Sequence, residues 1–365
     1  MSVETFSTKA RLADTGEGIT GEELQLAARN HGMPLEALRY DLTPAGLHYI
    51  LVHYDIPAAD AASWRLTLSG CVEQPLSFGL TELRAMGRET ARVTLECAGN
   101  GRAGLQPRPI SQPWLVEAVG TAEWTGVPLI DLLNAAGLRS DAVDVVFTGA
   151  DHGIERGVEQ DYQRGLSVAE ALKAGAIVAW EMNGQPLPPQ HGYPLRLVMP
   201  GWYGMASVKW LQSIEVIDHE FTGYQNAVSY RFRQEAEEPG EPVTRIEPRA
   251  LLIPPGHPDF LSRARFVPAE TITLHGRAWS GWAPIERVQV SVDAGTTWHD
   301  ADLDPTAGGD LAWRGFRYEW QARPGEHVLT ARAHDASGRV QPVQAPWNRG
   351  GFANNSAQRL TVVVT

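Results

Sequence analysis

A single cysteine at the end of an apolar run is the residue of this chain best suited to chemistry. The sequence RVTLECAGNGR covers residues 92–102, so a β-prone segment ends at Cys97 and a loop of small residues leads to Arg102. A thiolate is a preferred ligand of soft metal ions, and a strand end holds a ligand firmly. Glycines let the backbone approach a bulky cofactor, and an arginine can receive an anion. We therefore predict a metal–cofactor site at Cys97, next to an anion-binding arginine.

The composition and charge indicate the class of protein that holds this site and exclude some partners. A chain of 365 residues with 43% hydrophobic and 20% charged residues is typical of a globular protein and favours two domains. The formal net charge of -12 argues against nucleic acid or an anionic membrane as a partner, so an anionic substrate would need arginines close by. The N-terminus has no leader pattern and no apolar run reaches membrane-spanning length, so we expect a cytoplasmic protein, or a periplasmic one if a leader has been removed.

The first two-thirds of the chain alternate irregularly between strand-like and helix-like segments. This order favours a mixed α+β fold over repeated βαβ units. Thr81 is the expected cap of the first predicted helix. The predicted strands cover residues 65–70, 92–97, 195–199 and 208–216, and the predicted helices cover residues 81–85, 129–133 and 168–172.

The remaining third has a different pattern. Glutamates, prolines and a glycine in residues 234–242 predict a solvated linker, so we expect one domain over residues 1–242 and a second over residues 243–365. In the second domain Val288, Val290 and Val292 alternate with polar residues before a turn. Short alternating strands of this kind predict an immunoglobulin-like β-sandwich.

Seven short motifs resemble the sulfite oxidase family of molybdopterin-dependent oxidoreductases, in its haem-free bacterial form. The family layout implies a mixed α/β molybdopterin-binding catalytic domain followed by an immunoglobulin-like dimerisation domain, which matches the pattern above. The motifs are RNH at 29–31, ECAGN at 96–100, EMNGQPLP at 181–188, HGYPLR at 191–196, PG at 200–201, VKWL at 208–211 and WSG at 279–281.

The resemblance implies a molybdenum bound by the two dithiolene sulfurs of molybdopterin and by the thiolate of Cys97. It assigns Arg29 and Arg102 to the substrate oxyanion, and Trp114 to the wall of the pocket. The residues that it assigns to the cofactor are His31, Asn30, Asp151, His191, Arg196 and Lys209.

Two assignments stay open within the resemblance. Tyr230 is matched with an active-site tyrosine beside the metal, but Tyr224 is close in sequence. Gly350 stands where animal enzymes of the family have a third substrate arginine, and Arg349 precedes that position by one residue. If Arg349 does not reach the pocket, the substrate site holds fewer positive charges.

The reaction implied by the resemblance is the oxidation of sulfite to sulfate by oxygen-atom transfer. Electrons would pass to an external acceptor, a cytochrome or oxygen, because the chain has no Cys-x-x-Cys-His haem motif. The alternatives are a nitrate reductase, a sulfane dehydrogenase or a sulfoxide reductase of the same fold. An alternative of another class is a non-catalytic binding module, which would explain the sandwich but not the residues around Cys97. The resemblance also implies a homodimer paired through the sandwich.

Overall fold

The computed structural model describes residues 6–7, 9–306 and 309–365. We label helices α1–α4 and strands β1–β22 in chain order. Among the described residues, no helix is both long and apolar enough to cross a lipid bilayer. The first part of the chain forms α1 Gly21–Arg29, β1 Leu66–Gly70, β2 Leu76–Phe78, α2 Leu80–Met86, β3 Glu89–Glu96, β4 Val119–Pro128, α3 Leu129–Ala136, β5 Asp144–Glu155, β6 Val158–Ser167, α4 Val168–Lys173, β7 Ile177–Met182, β8 Gln185–Pro186, β9 Arg196–Val198, β10 Leu211–Ile217, β11 Arg231–Phe232 and β12 Glu241–Pro242.

Two sheets make up most of this first part. One has the strand order β2-β1-β10-β5-β6, in which β1 is parallel to β10 and the other neighbours are antiparallel. The other has the order β3-β4-β7-β8, and β9 also pairs with β7. Helix α3 buries Leu129, Leu132 and Leu133 in a core with the first sheet. Mixed pairing without βαβ repeats confirms the α+β prediction.

The C-terminal part forms a sandwich of a four-stranded and a six-stranded sheet, with orders β13-β16-β20-β19 and β14-β15-β22-β21-β17-β18. Val288 and Val290 on β17 are fully buried and share a core with Phe316 of the facing sheet. The strand-rich domain was therefore predicted correctly, although Gln289 and Ser291 between the valines are also buried and β17 ends before Val292. Its strands are β13 Arg249–Leu252, β14 His257–Pro258, β15 Arg265–Val267, β16 Thr271–Trp279, β17 Ile285–Ser291, β18 His299–Asp300, β19 Asp302–Leu303, β20 Arg314–Gln321, β21 Gly325–Asp335 and β22 Leu360–Val364.

Three local details differ from the sequence predictions. Helix α2 begins after Gly79, whose backbone N–H donates to the Glu82 carboxylate, so Thr81 is not its cap. Strand β10 begins only at Leu211, because Trp210 has a φ of 50°, outside the range of a strand. Strands β11 and β12 pair with each other, so the acidic segment between them is a hairpin loop rather than a free linker. The boundary after residue 242 stays a prediction.

A further core joins the two parts of the chain. It contains Met33, Ala98 and Tyr230 from the first part together with Trp279 and Phe352 from the second. The loop that follows Cys97 is therefore packed against the sandwich, and the site near Cys97 depends on both parts.

Candidate active site

Cys97 lies directly after β3 and borders two adjoining cavities. We call the more enclosed one the inner cavity and the more open one the outer cleft. Cys97 is only 6% exposed, so a ligand reaches its sulfur from one of these two spaces. Residues that line both are Leu51, His53, Cys97 and Tyr230; the inner cavity is also lined by His48, Asp151, His191, Arg196 and Lys209, and the outer cleft by Arg29, Arg102 and Trp114.

The backbone around Cys97 is shaped by hydrogen bonds and by glycines. The N–H of Cys97 donates to the carbonyl of Ala118 at 2.9 Å, which extends the contact between β3 and the chain before β4. Gly101 has a φ of 92°, a conformation that glycine adopts readily and other residues do not. A Cβ at Gly99 would lie 2.6 Å from the guanidinium of Arg102. The two glycines therefore let Arg102 fold back toward Cys97.

The residue before Cys97 is held by the sandwich. Glu96 is fully buried, and its Oε1 lies 2.9 Å from Nε of Arg249, which is itself buried on β13. The indole N–H of Trp279 donates to Glu96 Oε2 at 2.7 Å, and Asn100 donates to Oε1 at 2.9 Å. A buried carboxylate that loses such partners is strongly unfavourable. These contacts therefore fix the end of β3, and with it the position of the thiol.

The thiol itself is in a mixed environment. Burial raises the pKa of Cys97, while the charge of Arg102, the N–H of Gly99 and the indole N–H of Trp114 lower it. A metal ion binds the thiolate, so metal binding to Cys97 releases a proton.

Two buried cations line the inner cavity. Lys209 donates to the carbonyl of Leu51 at 2.7 Å, and Arg196 donates to the carbonyl of His191 at 3.0 Å. Burial lowers the pKa of Lys209 to about 7 and the pKa of Arg196 to about 10. Buried cations bonded only to neutral carbonyls are suited to an anionic ligand, which would stabilise their charged forms.

A buried acid lies in the same cavity. Oδ1 of Asp151 on β5 has no hydrogen-bond donor among the described residues. Burial raises the pKa of Asp151 to about 6, against the opposing charge of Lys209. His191 is neutral at pH 7, because burial lowers its pKa to about 2. A ligand that satisfies the inner cavity therefore brings negative charge for the two cations and a hydrogen-bond donor for Asp151.

The two arginines predicted to bind substrate differ in burial. Arg102 is 6% exposed, donates through Nε to the carbonyl of Gly350 at 3.0 Å, and lies over the ring of Phe352. Arg29, at the end of α1, is exposed; it donates to the carbonyl of Tyr54 and lies 3.7 Å from a carboxylate oxygen of Asp55. Arg102 is thus placed beside Cys97, whereas Arg29 stands at the rim of the outer cleft.

Tyr230 lies at the junction of the two cavities, and Tyr224 lines neither of them. The hydroxyl of Tyr230 is 2.9 Å from Nε2 of His53. Burial lowers the pKa of His53 to about 4 and raises the pKa of Tyr230, so at pH 7 the histidine is neutral and the phenol keeps its proton. Tyr230 therefore carries a protonated hydroxyl next to Cys97, and the tautomer of His53 sets whether this hydroxyl donates to the histidine or accepts from it.

Three residues singled out from the sequence do not line the inner cavity or the outer cleft. His31 is exposed, with Nδ1 3.3 Å from the carbonyl of Gly32. Asn30 is buried, but its Oδ1 accepts from the N–H of Val52 at 2.7 Å, so it supports the chain that passes the cleft. Arg349 lines a separate pocket. The roles of the residues that do reach the cavities stay predictions.

Two histidines that line the inner cavity, His48 and His53, were not among the predicted site residues. His53 contacts Tyr230, and Nε2 of His48 is buried without a hydrogen-bond partner among the described residues. The segment LHYILVHY at 47–54 contains two His-Tyr pairs five positions apart. This repeat of polar rings within an apolar run was the available signal for them.

The family models match both parts of the chain. The oxidoreductase molybdopterin binding domain matches residues 53–225, and the Mo-co oxidoreductase dimerisation domain matches residues 242–365. The chain belongs to the molybdopterin-dependent oxidoreductases of the sulfite oxidase family, as its motifs predicted.

Individual relatives agree with this family. The chain is similar to the NADPH nitrate reductase of Phytophthora infestans, with 32% identity over 91% of this chain, and to the NAD(P)H nitrate reductase of Hordeum vulgare, with 31% identity over 88% of it. It spans 40% and 39% of the length of these relatives. Its fold is similar to that of the sulfane dehydrogenase SoxCD from Paracoccus pantotrophus, with a TM-score of 0.81, 24% identity, and coverage of 97% of this chain and 87% of that chain.

The cofactor of this family is molybdenum held by molybdopterin, and the inner cavity fits it. The pterin carries N–H donors and a phosphate, which are the two features that the unpartnered oxygen of Asp151 and the buried cations Lys209 and Arg196 require. Cys97 at the mouth of the same cavity would supply the thiolate ligand to the metal.

Proposed function

We propose that the chain oxidises sulfite to sulfate with its molybdenum cofactor and passes the two electrons to an external acceptor. The observation that carries the proposal is that Arg102 and Cys97 both line the outer cleft. Among the described residues Arg102 has no carboxylate within 4.0 Å, so its charge remains for an anion. The balanced reaction consumes sulfite and water and yields sulfate, two protons and two electrons.

In this proposal the residues of the inner cavity bind the cofactor and those of the outer cleft bind the substrate. The cofactor supplies the redox chemistry, and Lys209, Arg196 and Asp151 would hold it in place. Arg102 would bind the substrate oxyanion by charge-assisted hydrogen bonds. The buried phenol of Tyr230 keeps its proton, and with the Nε2–H tautomer of His53 donating to the phenol oxygen, that proton would be donated to the reacting group beside Cys97. We expect this arrangement of fixed donors to supply most of the protein's contribution to the rate.

A second candidate is the oxidation of a sulfane sulfur carried on a larger group. The outer cleft has a volume of about 420 Å³, which is more than a small inorganic anion requires. It also presents one buried arginine, with Arg29 farther out at the rim. The likeness to a sulfane dehydrogenase structure is one of fold and agrees with this candidate without choosing it.

Three further properties belong to the same proposal. The match to a dimerisation domain supports a homodimer paired through the sandwich. The proposed location is the cytoplasm, and the acceptor is a cytochrome or oxygen. Size-exclusion chromatography with light scattering tests the first of these directly.

The test of the proposed reaction is a set of parallel assays on purified, molybdenum-loaded protein. With sulfite and ferricyanide, we expect two ferricyanides reduced per sulfite consumed. Matched reactions use a sulfane donor with ferricyanide, and nitrate with a reduced dye. The control is Cys97→Ser, which keeps the outer cleft but loses the thiolate. Loaded protein that reduces nitrate and leaves sulfite unoxidised would overturn the proposal.

A further inference from the structure

A smaller pocket lies beside the outer cleft and is lined mainly by arginines. We call it the arginine pocket; its volume is about 120 Å³, enough for several water molecules or one small oxyanion. It shares Ala10, Ile110, Arg156, Ser229, Gly350 and Phe352 with the outer cleft, so the two spaces are neighbours and Arg156 borders both. The cations that line it are Arg11, Arg156, Arg231, Arg233 and Arg349.

Four of these five cations have no carboxylate partner. Arg11 is paired with Glu17 at 2.8 Å, but none of the other four lies within 4.0 Å of a carboxylate among the described residues. Arg156 also borders the outer cleft, where the neighbouring Glu155 accepts from Gln225 at 3.0 Å. In a chain with a net charge of -12, four converging arginines without acids are not explained by composition.

Neutral carbonyl groups hold two of the arginines in place. Arg231 donates to the carbonyl of Gly240, and Arg233 donates to the carbonyl of Val228 at 2.8 Å. Nε of Arg233 is buried and has no acceptor among the described residues. Burial lowers the pKa of Arg233, and the charges of Arg231 and Arg156 lower it further, so the like charges are close enough to repel one another. An anion between them would remove this repulsion.

We propose that the arginine pocket is a second oxyanion site, separate from the position beside Arg102, that binds a small multiply charged oxyanion such as sulfate or phosphate. The planar guanidinium presents paired N–H donors that match such anions, and several guanidinium groups around one space favour a doubly charged ligand over chloride. Because the pocket adjoins the outer cleft, it also raises the local concentration of oxyanions at the entrance. The site does not depend on which substrate is turned over.

The test is a calorimetric titration with sulfate at constant ionic strength, on molybdenum-loaded Arg102→Gln protein. This background removes binding at the cysteine side of the outer cleft, so we expect one sulfate per chain from the arginine pocket. Adding Arg233→Gln is expected to weaken sulfate binding by about tenfold or more, since charge-assisted bonds are lost. Adding Arg349→Gln tests the same pocket with less risk to folding, because no hydrogen bond from its guanidinium supports the described fold.

The matched control is Arg323→Gln, which removes an exposed arginine from the sandwich and is expected to leave sulfate binding unchanged. Phosphate in place of sulfate is expected to bind, and chloride is not. The proposal is overturned if Arg102→Gln protein binds no sulfate, or if both pocket variants bind it as tightly as their parent. Binding of polyglutamate without binding of sulfate or phosphate would also overturn it, in favour of an acidic polypeptide partner.

Discussion

Two buried aspartates show how differently the two parts of this chain treat a polar group. Asp335 in the sandwich is fully buried, and its own domain satisfies it: Oδ2 accepts from Ser280 at 2.7 Å, and Oδ1 accepts from the N–H groups of Ser337 and Arg339 at 3.0 and 3.1 Å. Asp151 in the inner cavity is 4% exposed, and its Oδ1 has no donor within the described part of the chain.

Asp335 is a polar group that stabilises the fold, whereas Asp151 is a polar group whose hydrogen bonds are completed only by a ligand. A buried polar atom without a partner costs free energy, so a protein keeps one where a bound group completes it. Asp335 is satisfied by donors within the sandwich, whereas Asp151 in the inner cavity needs a donor from the cofactor. Substitutions should therefore affect stability in one region and cofactor content or turnover in the other.

The largest effect is expected at the metal ligand. Cys97→Ser should reduce turnover to background, because a hydroxyl does not replace the thiolate as a ligand to a soft metal. Molybdenum content by elemental analysis and the dye assay measure this together. The control is Cys71→Ser, at a half-buried position after β1, which should keep both molybdenum and activity. Normal turnover by Cys97→Ser with full metal content would remove Cys97 from the metal.

The aspartate pair gives the next largest effect. Asp335→Asn should lower the free energy of unfolding by about 3 kcal/mol, since several donors lose a charged acceptor, while molybdenum per folded chain stays the same. Asp151→Asn should leave the cofactor-free protein as stable as before and lower its molybdopterin content. Urea unfolding and cofactor analysis on both variants check the contrast. Equal loss of stability in both would contradict it.

A pH effect of about 2 kcal/mol is expected from His48, which is buried and whose pKa burial lowers to about 4. The unfolded chain binds the proton near pH 6.5 and the folded chain does not, so stability present at pH 7 is lost on acidification toward pH 5, by about 2 kcal/mol for this group. His48→Gln should reduce the pH dependence of urea unfolding of cofactor-free protein by that amount. His299→Gln, at an exposed position in the sandwich, should leave it unchanged.

The smallest effect concerns substrate binding, where the two arginines of the outer cleft can be compared. Arg102→Gln should raise the KM for sulfite by roughly tenfold or more, with a smaller change in kcat, because an anion contact is lost in the ground state and the transition state alike. Arg29→Gln should change KM far less, since that side chain is exposed and already contacts Asp55. Equal effects of the two variants would place Arg29 at the substrate as well.

The sequence predicted the elements whose patterns are local. Alternation around Val288 and Val290 identified the sandwich, and the apolar run ending at Cys97 identified the strand that carries the thiol. A local hydrogen bond explains one error. The N–H of Gly79 donates to the carboxylate of Glu82, so α2 begins after Gly79 and not after Thr81. Such competition between nearby caps depends on backbone geometry that the residue types alone do not give.

The sequence predicted the chemical types of the site residues better than it predicted which residues line the cavities. Cys97, Arg102 and Lys209 have residue types that fit their surroundings, and they do line the cavities. His31 and His53 are chemically identical and 22 positions apart, and only the path of the chain brings the second rather than the first beside Tyr230. Long-range placement of this kind cannot be read from spacing along the sequence.

The contact of Glu96 with Arg249 and Trp279 indicates that the C-terminal domain also positions the metal ligand. This domain matches a dimerisation domain, and it also holds strand β3 in place. It does so through Arg249 and Trp279, which contact the carboxylate of Glu96, the residue before Cys97. Removing the sandwich by ending the chain in the loop between β11 and β12 would deprive that carboxylate of Arg249 and Trp279 and leave Asn100 as its remaining side-chain donor. The first part of the chain is thus incomplete as an isolated fragment. We expect a change that weakens the contact between the sandwich and β3 to lower the molybdenum content before it weakens the association of subunits.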